Sequence, residues 1–577
     1  MSDEVQIIKE KLDIVDFLKQ YIELKPAGKN FKACCPFHKE KTPSFMVSPE
    51  RQTWHCFGAC GEGGDIIQFL MKYENLEFYD ALKILAEKAG VDIRRSAGGD
   101  FRAHDSLYSI INEAKDFFKN NLFASETIRK YVKERGLNDE TVSEFELGLA
   151  PDGSDVLTTH LTKLGYKIVD VEKAGLAIKT ERGTYWDRFR SRLMFPLYNN
   201  VGKAVGFTGR ILPGADDRNT GKYVNSPETP IFQKSKFLYG FHKTKNDIRE
   251  LKSAVLVEGQ MDFLMMWQDG VKNTVATSGT ALTIDHLKTL RRLADELILS
   301  FDSDEAGQMA AERSIDAAGA MDFMVKLLII GDEKLKDPAD VVKSQPGLIK
   351  SMMKKSIPAM EYYFHRYFKN PGVDLEKDLQ KKKQHIRLVL SKIKNLASSV
   401  ERSHWVKKLS DLVNFDEKTL MEEMDDIKEE NKVFASDLAP QKSEEKNLSK
   451  QDLICQRLLG LALNHKELKE MLTENICHLP PYYQDILKGN LNGDAEKLVN
   501  FISLRFSFDN VEEVDMPRLK KEFFSLLNGL KAKNLIEKRQ ILSKQIKSLE
   551  RYGDEQHLAA ALREFDSVSQ ELHNLGI

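Results

Sequence analysis

Two groups of side chains in this 577-residue chain have the types and spacing of metal sites. The first reads Cys35-Pro36-Phe37-His38 and, after seventeen residues, Cys56-Phe57-Gly58-Ala59-Cys60. Structural Zn²⁺ takes four tetrahedral N and S ligands, offered as two close pairs, and each pair needs a tight turn. Pro36 stiffens the first turn and Gly58 permits the second. Cys34 is an alternative to Cys35, and His55 adjoins Cys56; the shorter turn favours Cys35, and Cys60 completes the second pair. Four protein ligands leave no open position, so Cys35, His38, Cys56 and Cys60 predict one structural zinc per chain. Lys32, Lys39, Lys41, Arg51, Phe45 and Trp54 surround them. Cations and rings together suit single-stranded nucleic acid, and the two rings equally suit the small core of a metal module.

The second group is acidic. AVLVEGQMD places Glu258 at the carboxyl end of a strand, with Gly259 turning into a helix that carries Asp262. LILSFDSDEAG places Asp302 and Asp304 at the end of another strand. Carboxylates this close repel unless a divalent ion neutralises them. An all-oxygen set favours Mg²⁺ or Mn²⁺, which would assist displacement at phosphorus. An isolated Asp-x-Asp would read as a solvated loop; the Glu-Gly strand end on the same sheet argues against that.

The elements that must position these groups follow from periodicity. Between 251 and 335 the apolar runs 254–257, 274–277, 297–301 and 325–330 alternate with helical stretches, which predicts a mostly parallel α/β sheet. Functional side chains gather at the carboxyl ends of such strands. Residues 181–240 hold ten Lys and Arg against five Asp and Glu, interleaved with Gly, Asn, Pro and aromatics, as in a phosphate-binding groove. The N-terminal module, 1–95, opens with an amphipathic helix expected over Val5–Tyr21, and a second helical stretch runs over Ile66–Ala89. Residues 96–100 read as a hinge and 431–448 as a linker. The segment 340–430 and the tail 449–577 read as helical, the tail ending in two long stretches separated near Gly553. Cys455 and Cys477 read as buried thiols.

Composition narrows the class. The formal net charge of −2 excludes a uniformly basic DNA-coating protein but not a local basic cleft. No apolar run approaches the ~18–20 residues of a membrane span, and the acidic N-terminus lacks a secretory h-region. Six cysteines are too few for a secreted disulfide scaffold, which points to a reducing cytoplasm. No G-x-x-x-x-G-K-[ST] loop marks an ATP-driven motor.

The pair Glu258-Gly259 with Asp302-Ser303-Asp304 resembles a Toprim domain, and CPFHKEKTPSF…HCFGACGEGGD resembles the zinc-binding domain of bacterial primases. With YWDRFRSRLMFPL, GFTGR and KYVNSPET between them, residues 1–345 resemble the DnaG-type replicative primases. The resemblance implies a multidomain α/β and α fold. An N-terminal zinc-ribbon-like module (1–95) would precede a catalytic core (105–430), and a helical domain (449–577) would follow the linker (431–448). The core would comprise a basic α+β subdomain (105–250), a Toprim domain (251–335) and a helical subdomain (340–430). The implied activity is primer synthesis: a DNA-dependent RNA polymerase copying single-stranded DNA from NTPs. Glu258, Asp302 and Asp304 would hold the catalytic Mg²⁺ or Mn²⁺, two ions, with Asp262 in support. Arg135, Arg210, Lys222, Tyr223, Asn225 and Lys234 would meet nucleotide or template. The tail would bind the replicative helicase, the protein being a monomer that joins a helicase ring at the fork, with single-strand-binding protein a further partner; its location would be the cytoplasm, at the nucleoid, with no membrane. Two departures stand out: three residues separate Cys56 from Cys60 where the family often has two, and Asp337-Pro338-Ala339-Asp340 replaces the family's Asp-Pro-Asp, leaving a metal role for Asp337 and Asp340 open.

Overall fold

The computed structural model describes residues 2–38, 40–92, 99–215, 221–301, 304–330, 335, 337–369, 378–396, 398–427, 449–491, 493–508, 515–552 and 555–575. Asp302, Lys39, residues 96–98 of the expected hinge and the 431–448 segment lie outside them. The chain forms two compact units, one built from residues 2–69, 87–91 and 440–577, the other from 70–86 and 92–439.

In the first unit, five short strands form one antiparallel sheet in chain order: β1 Lys25–Ala27, β2 Asn30–Ala33, β3 Phe45–Ser48, β4 Thr53–Cys56 and β5 Gly63–Gly64. The register Phe45↔Cys56 and Val47↔Trp54 puts alternate residues of β4 on opposite faces. Trp54 and Cys56 point inward, and Trp54 stacks on Phe45 with ring centroids 5.0 Å apart. Phe45 and Trp54 are fully buried, so they are core and not a platform for bases. The helix expected over Val5–Tyr21 is two helices, Ser2–Lys11 and Ile14–Leu18, because Asp13 caps the second by accepting from the Val15 and Asp16 amides. The expected stretch Ile66–Ala89 likewise divides, into Ile66–Glu74 and Phe78–Ala89, with Asn75 at φ 55° between them.

The same unit holds a helical bundle whose core joins Leu458, Leu459, Leu468, Tyr483, Val499, Ile502 and Phe523. Its last two helices, Met516–Tyr552 and Glu555–Asn574, pack through Leu542, Val568 and Leu572. Cys455 is buried as expected, and burial pushes its thiol up to about 11. Cys477 is exposed: it sits on the 3-10 turn Ile476–His478, outside the helical stripe that would have buried it.

The second unit contains two sheets and a hairpin. The strands β6 Gly148–Ala150, β9 Arg192–Tyr198, β10 Ala204–Ile211 and β11 Tyr223–Asn225 form an antiparallel sheet in the order β11-β10-β9-β6, beside the hairpin β7 Ala177–Lys179 and β8 Tyr185–Asp187. A side chain at Gly209 of β10 would sit 2.9 Å from Arg192 and 3.0 Å from Phe189, so the glycine lets these pack against the strand. The other sheet has the order β13-β12-β14-β15-β16, from β12 Ser253–Val257, β13 Thr274–Ala276, β14 Glu296–Ser300, β15 Met324–Leu327 and β16 Ile357–Pro358. Strands β12–β15 pair in parallel. They match the four apolar runs closely, since parallel strands buried on both faces read as continuous apolar text. The antiparallel edge strand β16 lies in the segment expected to be wholly helical; its two residues carry no readable alternation.

Candidate functional site

The zinc residues converge. One ligand atom each from Cys35, His38, Cys56 and Cys60 lies within 4.8 Å of all the others. The Sγ atoms of Cys35 and Cys60 are 3.6 Å apart, and Cys56 Sγ is 3.7 Å from His38 Nδ1. Ligands ~2.0–2.3 Å from a shared tetrahedral ion stand about this far from each other. Hydrogen bonds with Cys35 and Cys60, and from the Ser44 hydroxyl and the Gly58 amide, hold the Cys56 thiol far below its ordinary range. The hydrogen bond to that thiolate, with burial, pushes Cys35 up. Three thiols and an imidazole make a donor set that suits Zn²⁺. His38 Nε2 meets Glu40 at 3.0 Å, a partner that orients the ring. Cys34 is exposed and outside the group, and His55 packs on Phe57 instead.

The acidic residues follow from sheet register. Strands β12 and β14 are neighbours, with Val257 opposite Ser300. Glu258 follows β12 and Phe301 follows β14 at the same, carboxyl end of the sheet. Asp304 begins the helix Glu305–Ala320 as its N-cap, accepting from the Gly307 amide at 2.8 Å. Asp262 lies in the first turn of the helix Gln260–Gln268. A side chain on Gly259 would sit 2.9 Å from the Asp262 carboxylate, so this turn is close-packed on that carboxylate. Among the described residues the zinc set is the one grouping of three or more metal-competent side chains, and Asp302 is not among those residues.

The helix Gln260–Gln268 joins the acidic edge to the basic strands, and sequence reasoning missed it as an organiser. Gln260, 3 % exposed, donates from Nε2 to Thr208 Oγ1 at 2.9 Å and to Ser278 Oγ. Thr208 in turn donates to Asn225 Oδ1 at 2.7 Å, and Asn225 Nδ2 donates to the Ser278 carbonyl at 3.0 Å. The Ser278 amide donates to the Glu258 carbonyl at 3.0 Å. At the other end of the helix, Gln268 donates to the Gly136 carbonyl and accepts from the Asn138 amide, both at 2.9 Å. That brace holds the turn carrying Arg135. The available signal was the polar residue inside each of GFTGR, KYVNSPET and EGQMD.

Arg210 and Tyr223 face each other across β10 and β11, with Nη1 donating to the phenol at 2.6 Å. Burial pulls the Arg210 guanidinium down, but Tyr223 and Tyr131 beside it more than reverse this, and the net shift is upward. Burial pushes the Tyr223 phenol up, against Arg210 and Arg135; Asp262 adds to the rise. Arg135 Nε is buried and has no hydrogen-bond partner among the described residues. Asp337 caps the helix Pro338–Ser344 by accepting from the Asp340 amide at 2.7 Å. Burial raises its carboxyl, the Asp340 charge adds to the rise, and Arg135 and Lys222 oppose it. Arg135 and Lys222 are thus within electrostatic reach of Asp337, and Asp262 is within reach of Tyr223. Lys234 stands apart on the 3-10 turn Lys234–Lys236; its amide donates to Glu228 at 2.9 Å, and the next carbonyl accepts from Thr283 at 2.6 Å.

A zinc ribbon and a parallel sheet with acidic strand ends beside an antiparallel basic sheet define a Toprim-type enzyme of nucleic acid. Residues 1–100 match the CHC2 zinc finger, 117–245 the N-terminal domain of the DNA primase catalytic core, and 255–342 the Toprim-like family. A DNA primase of Clostridium acetobutylicum is 31 % identical over 604 aligned positions, which span 100 % of this chain and 99 % of the relative. One from Halalkalibacterium halodurans is 36 % identical over 422 positions, 71 % of this chain and 68 % of the relative. The crystal structure of the zinc-binding and RNA polymerase domains of Aquifex aeolicus primase is 27 % identical, covers 73 % of this chain and 99 % of its own, and has a TM-score of 0.48.

The chain belongs to the DNA primase family. It is a DNA-directed RNA polymerase, a nucleotidyltransferase that makes RNA primers for replication. Zn²⁺ is the metal of its Cys/His cluster, and its Toprim-like core takes a divalent ion. Among the described residues no helix is long and apolar enough to cross a membrane.

Proposed function

We propose that Glu258, Asp302 and Asp304 hold the catalytic Mg²⁺ or Mn²⁺, two ions, and that Arg135, Arg210, Lys222, Tyr223, Asn225 and Lys234 bind NTP and single-stranded DNA template. The parallel pairing of Val257 with Ser300 supports this most directly, because it brings both acid-bearing chain segments to one edge. An all-carboxylate donor set fits a hard divalent ion.

In each cycle the 3′-hydroxyl oxygen of one nucleotide attacks the α-phosphorus of the next NTP. The new P–O bond forms as the bond to the bridging oxygen breaks, pyrophosphate leaves, and the hydroxyl proton passes to solvent. Glu258, Asp302 and Asp304 would hold a divalent ion, which would supply neutralisation of phosphate charge and a lower pKa for the attacking hydroxyl. The chain's own residues do the positioning. Among the described residues Arg210 is braced by two phenols, which orient its guanidinium without neutralising it, and it would meet a triphosphate oxygen. Arg135, whose Nε is buried and has no hydrogen-bond partner among the described residues, would add a second guanidinium. Asn225 and Thr208 are locked through Gln260, which fixes the Arg210 strand over the end of β12.

The domain reading extends this: a zinc-binding DNA-recognition module over 1–95, a catalytic core over 105–430 and a linker over 431–448. The helical domain over 449–577 engages the replicative helicase, since the chain carries no motor motif of its own. Single-strand-binding protein is a further partner, the chain acts as a monomer on a helicase ring, and the setting is the bacterial cytoplasm at the fork. The test is labelled NTP incorporation on single-stranded DNA with and without Mg²⁺. The reading expects RNA only when ion and template are both present, and ion-independent incorporation overturns it.

A further inference from the structure

The helix Gly493–Phe508 has two working faces. Ala495, Val499, Ile502 and Phe506, at helical spacing, lie in the core of the C-terminal bundle, which is all that a surface helix requires. A second ridge carries Phe501, Leu504, Arg505 and Phe508, also at helical spacing. Leu504 is 1 % exposed although it lies outside that bundle core.

The second ridge meets the outward face of β4 and the turn beyond it. Phe57 stacks on Phe508 with ring centroids 4.9 Å apart and lies 5.7 Å from Phe501. His55 meets Phe501 edge-on at 4.9 Å. The Arg505 guanidinium lies over Phe57 at 5.4 Å and over Phe508 at 5.6 Å. At the rim Asn30 Nδ2 donates to Ser507 Oγ at 2.7 Å, and Arg51 Nη1 to Asn500 Oδ1 at 3.2 Å. These are paired, directional contacts of rings, a cation and amides. Phe57 stands between the ligands Cys56 and Cys60, so the metal-binding turn itself presents the ring.

We propose that this helix is a latch for the zinc module: it occupies the ring-and-cation face of β4, and a single-stranded nucleic acid must displace it to stack there. Phe57, His55 and Arg51 are the kind of surface on which unpaired bases stack. Trp54 and Phe45 are committed to the core, whereas Phe57, His55 and Arg51 lie on the module's surface side. The competition rests on the zinc module's proposed role in DNA recognition; the latch itself does not.

The experiment places the photo-crosslinker p-benzoylphenylalanine at position 501 of the full-length chain and maps the adduct by mass spectrometry. The expected adduct joins position 501 to the zinc-module peptide spanning 52–58. An adduct confined to other peptides overturns the latch. Mixing isotopically heavy and light protein shows whether the helix belongs to the same chain, as proposed, or to a second copy, which would overturn the intramolecular form. Arg505→Glu should lower the yield about fivefold, and Phe57→Ala, with zinc content confirmed, at least as much; undiminished yields count against the contacts named. Excess oligo-dT, with binding confirmed by mobility shift, should suppress the adduct. If it does not, the competition fails while the latch stands. RNA synthesis measured on the same protein reports separately on the polymerase reading.

Discussion

Replacing Gln260 by Leu tests whether one buried amide couples the acidic sheet edge to the basic strands. Both hydrogens of its Nε2 are committed, to Thr208 Oγ1 and Ser278 Oγ. Leucine keeps the bulk and removes both donors. Each lost bond is worth ~1 kcal/mol, and the hydroxyls cannot recover water at a site 3 % exposed, so the local cost is about 2 kcal/mol. The chain has more than one compact unit, so a single unfolding midpoint would blur this. Amide hydrogen exchange resolves it: 2 kcal/mol of easier local opening is about a thirtyfold faster exchange, at ~1.4 kcal/mol per decade. The acceleration should centre on the β10–β11 pairing around Thr208 and Asn225 and spare the zinc ribbon. Primer synthesis should fall about tenfold with its KM for NTP raised. Unchanged exchange at Thr208 and Asn225 together with unchanged synthesis would refute the coupling.

Asp304→Asn keeps the N-cap on the Gly307 amide and removes the charge, so it should melt like the parent yet make no primer. Asp304→Ala should lose synthesis and also ~1 kcal/mol of helix start; primer formation by the Asn variant would end the ligand assignment. Titrating released metal with a chelating dye should give one zinc per chain from the parent and from Cys34→Ser, but far less from Cys60→Ser. Burial holds His242 down to about 4, so between the ordinary imidazole value and 4 the unfolded chain binds the extra proton. Stability is therefore lost as pH falls through that window, by up to about 3 kcal/mol for a shift of this size. His242→Asn should lessen the loss of amide-exchange protection in its helix, Phe241–Leu251, between pH 6.5 and 4, leaving the part due to His286, which burial also holds down to about 4; an undiminished loss would show that His242 does not contribute.

How much of this was legible depended on whether a residue's task is local. The convergence of Cys35, His38, Cys56 and Cys60 was readable because each pair serves one turn, with turn length favouring Cys35 over Cys34. The parallel strands were readable because burial on both faces leaves uninterrupted apolar text. Gln260 was not, because its partners lie 18 and 52 residues away and nothing local marks a glutamine that closes a network. Trp54 and Phe45 were ambiguous for a similar reason: only the pleat register, with Cys56 opposite Phe45, decides that these rings face the core.

The bonds that assemble the site are mostly between neutral groups, and this has a consequence for catalysis. If salt bridges between Arg210 or Lys222 and the acidic edge held the two sheets together, nucleotide and metal would have to break them before binding. Here an amide, two hydroxyls and a second amide do the holding, in the chain Gln260–Thr208–Asn225–Ser278. Arg210 is braced by phenols, which fix its direction without cancelling its charge. Under the assignments proposed above, a triphosphate and a divalent ion would then bind without breaking this chain of bonds. Preorganised charge of this kind costs no rearrangement at the moment of reaction.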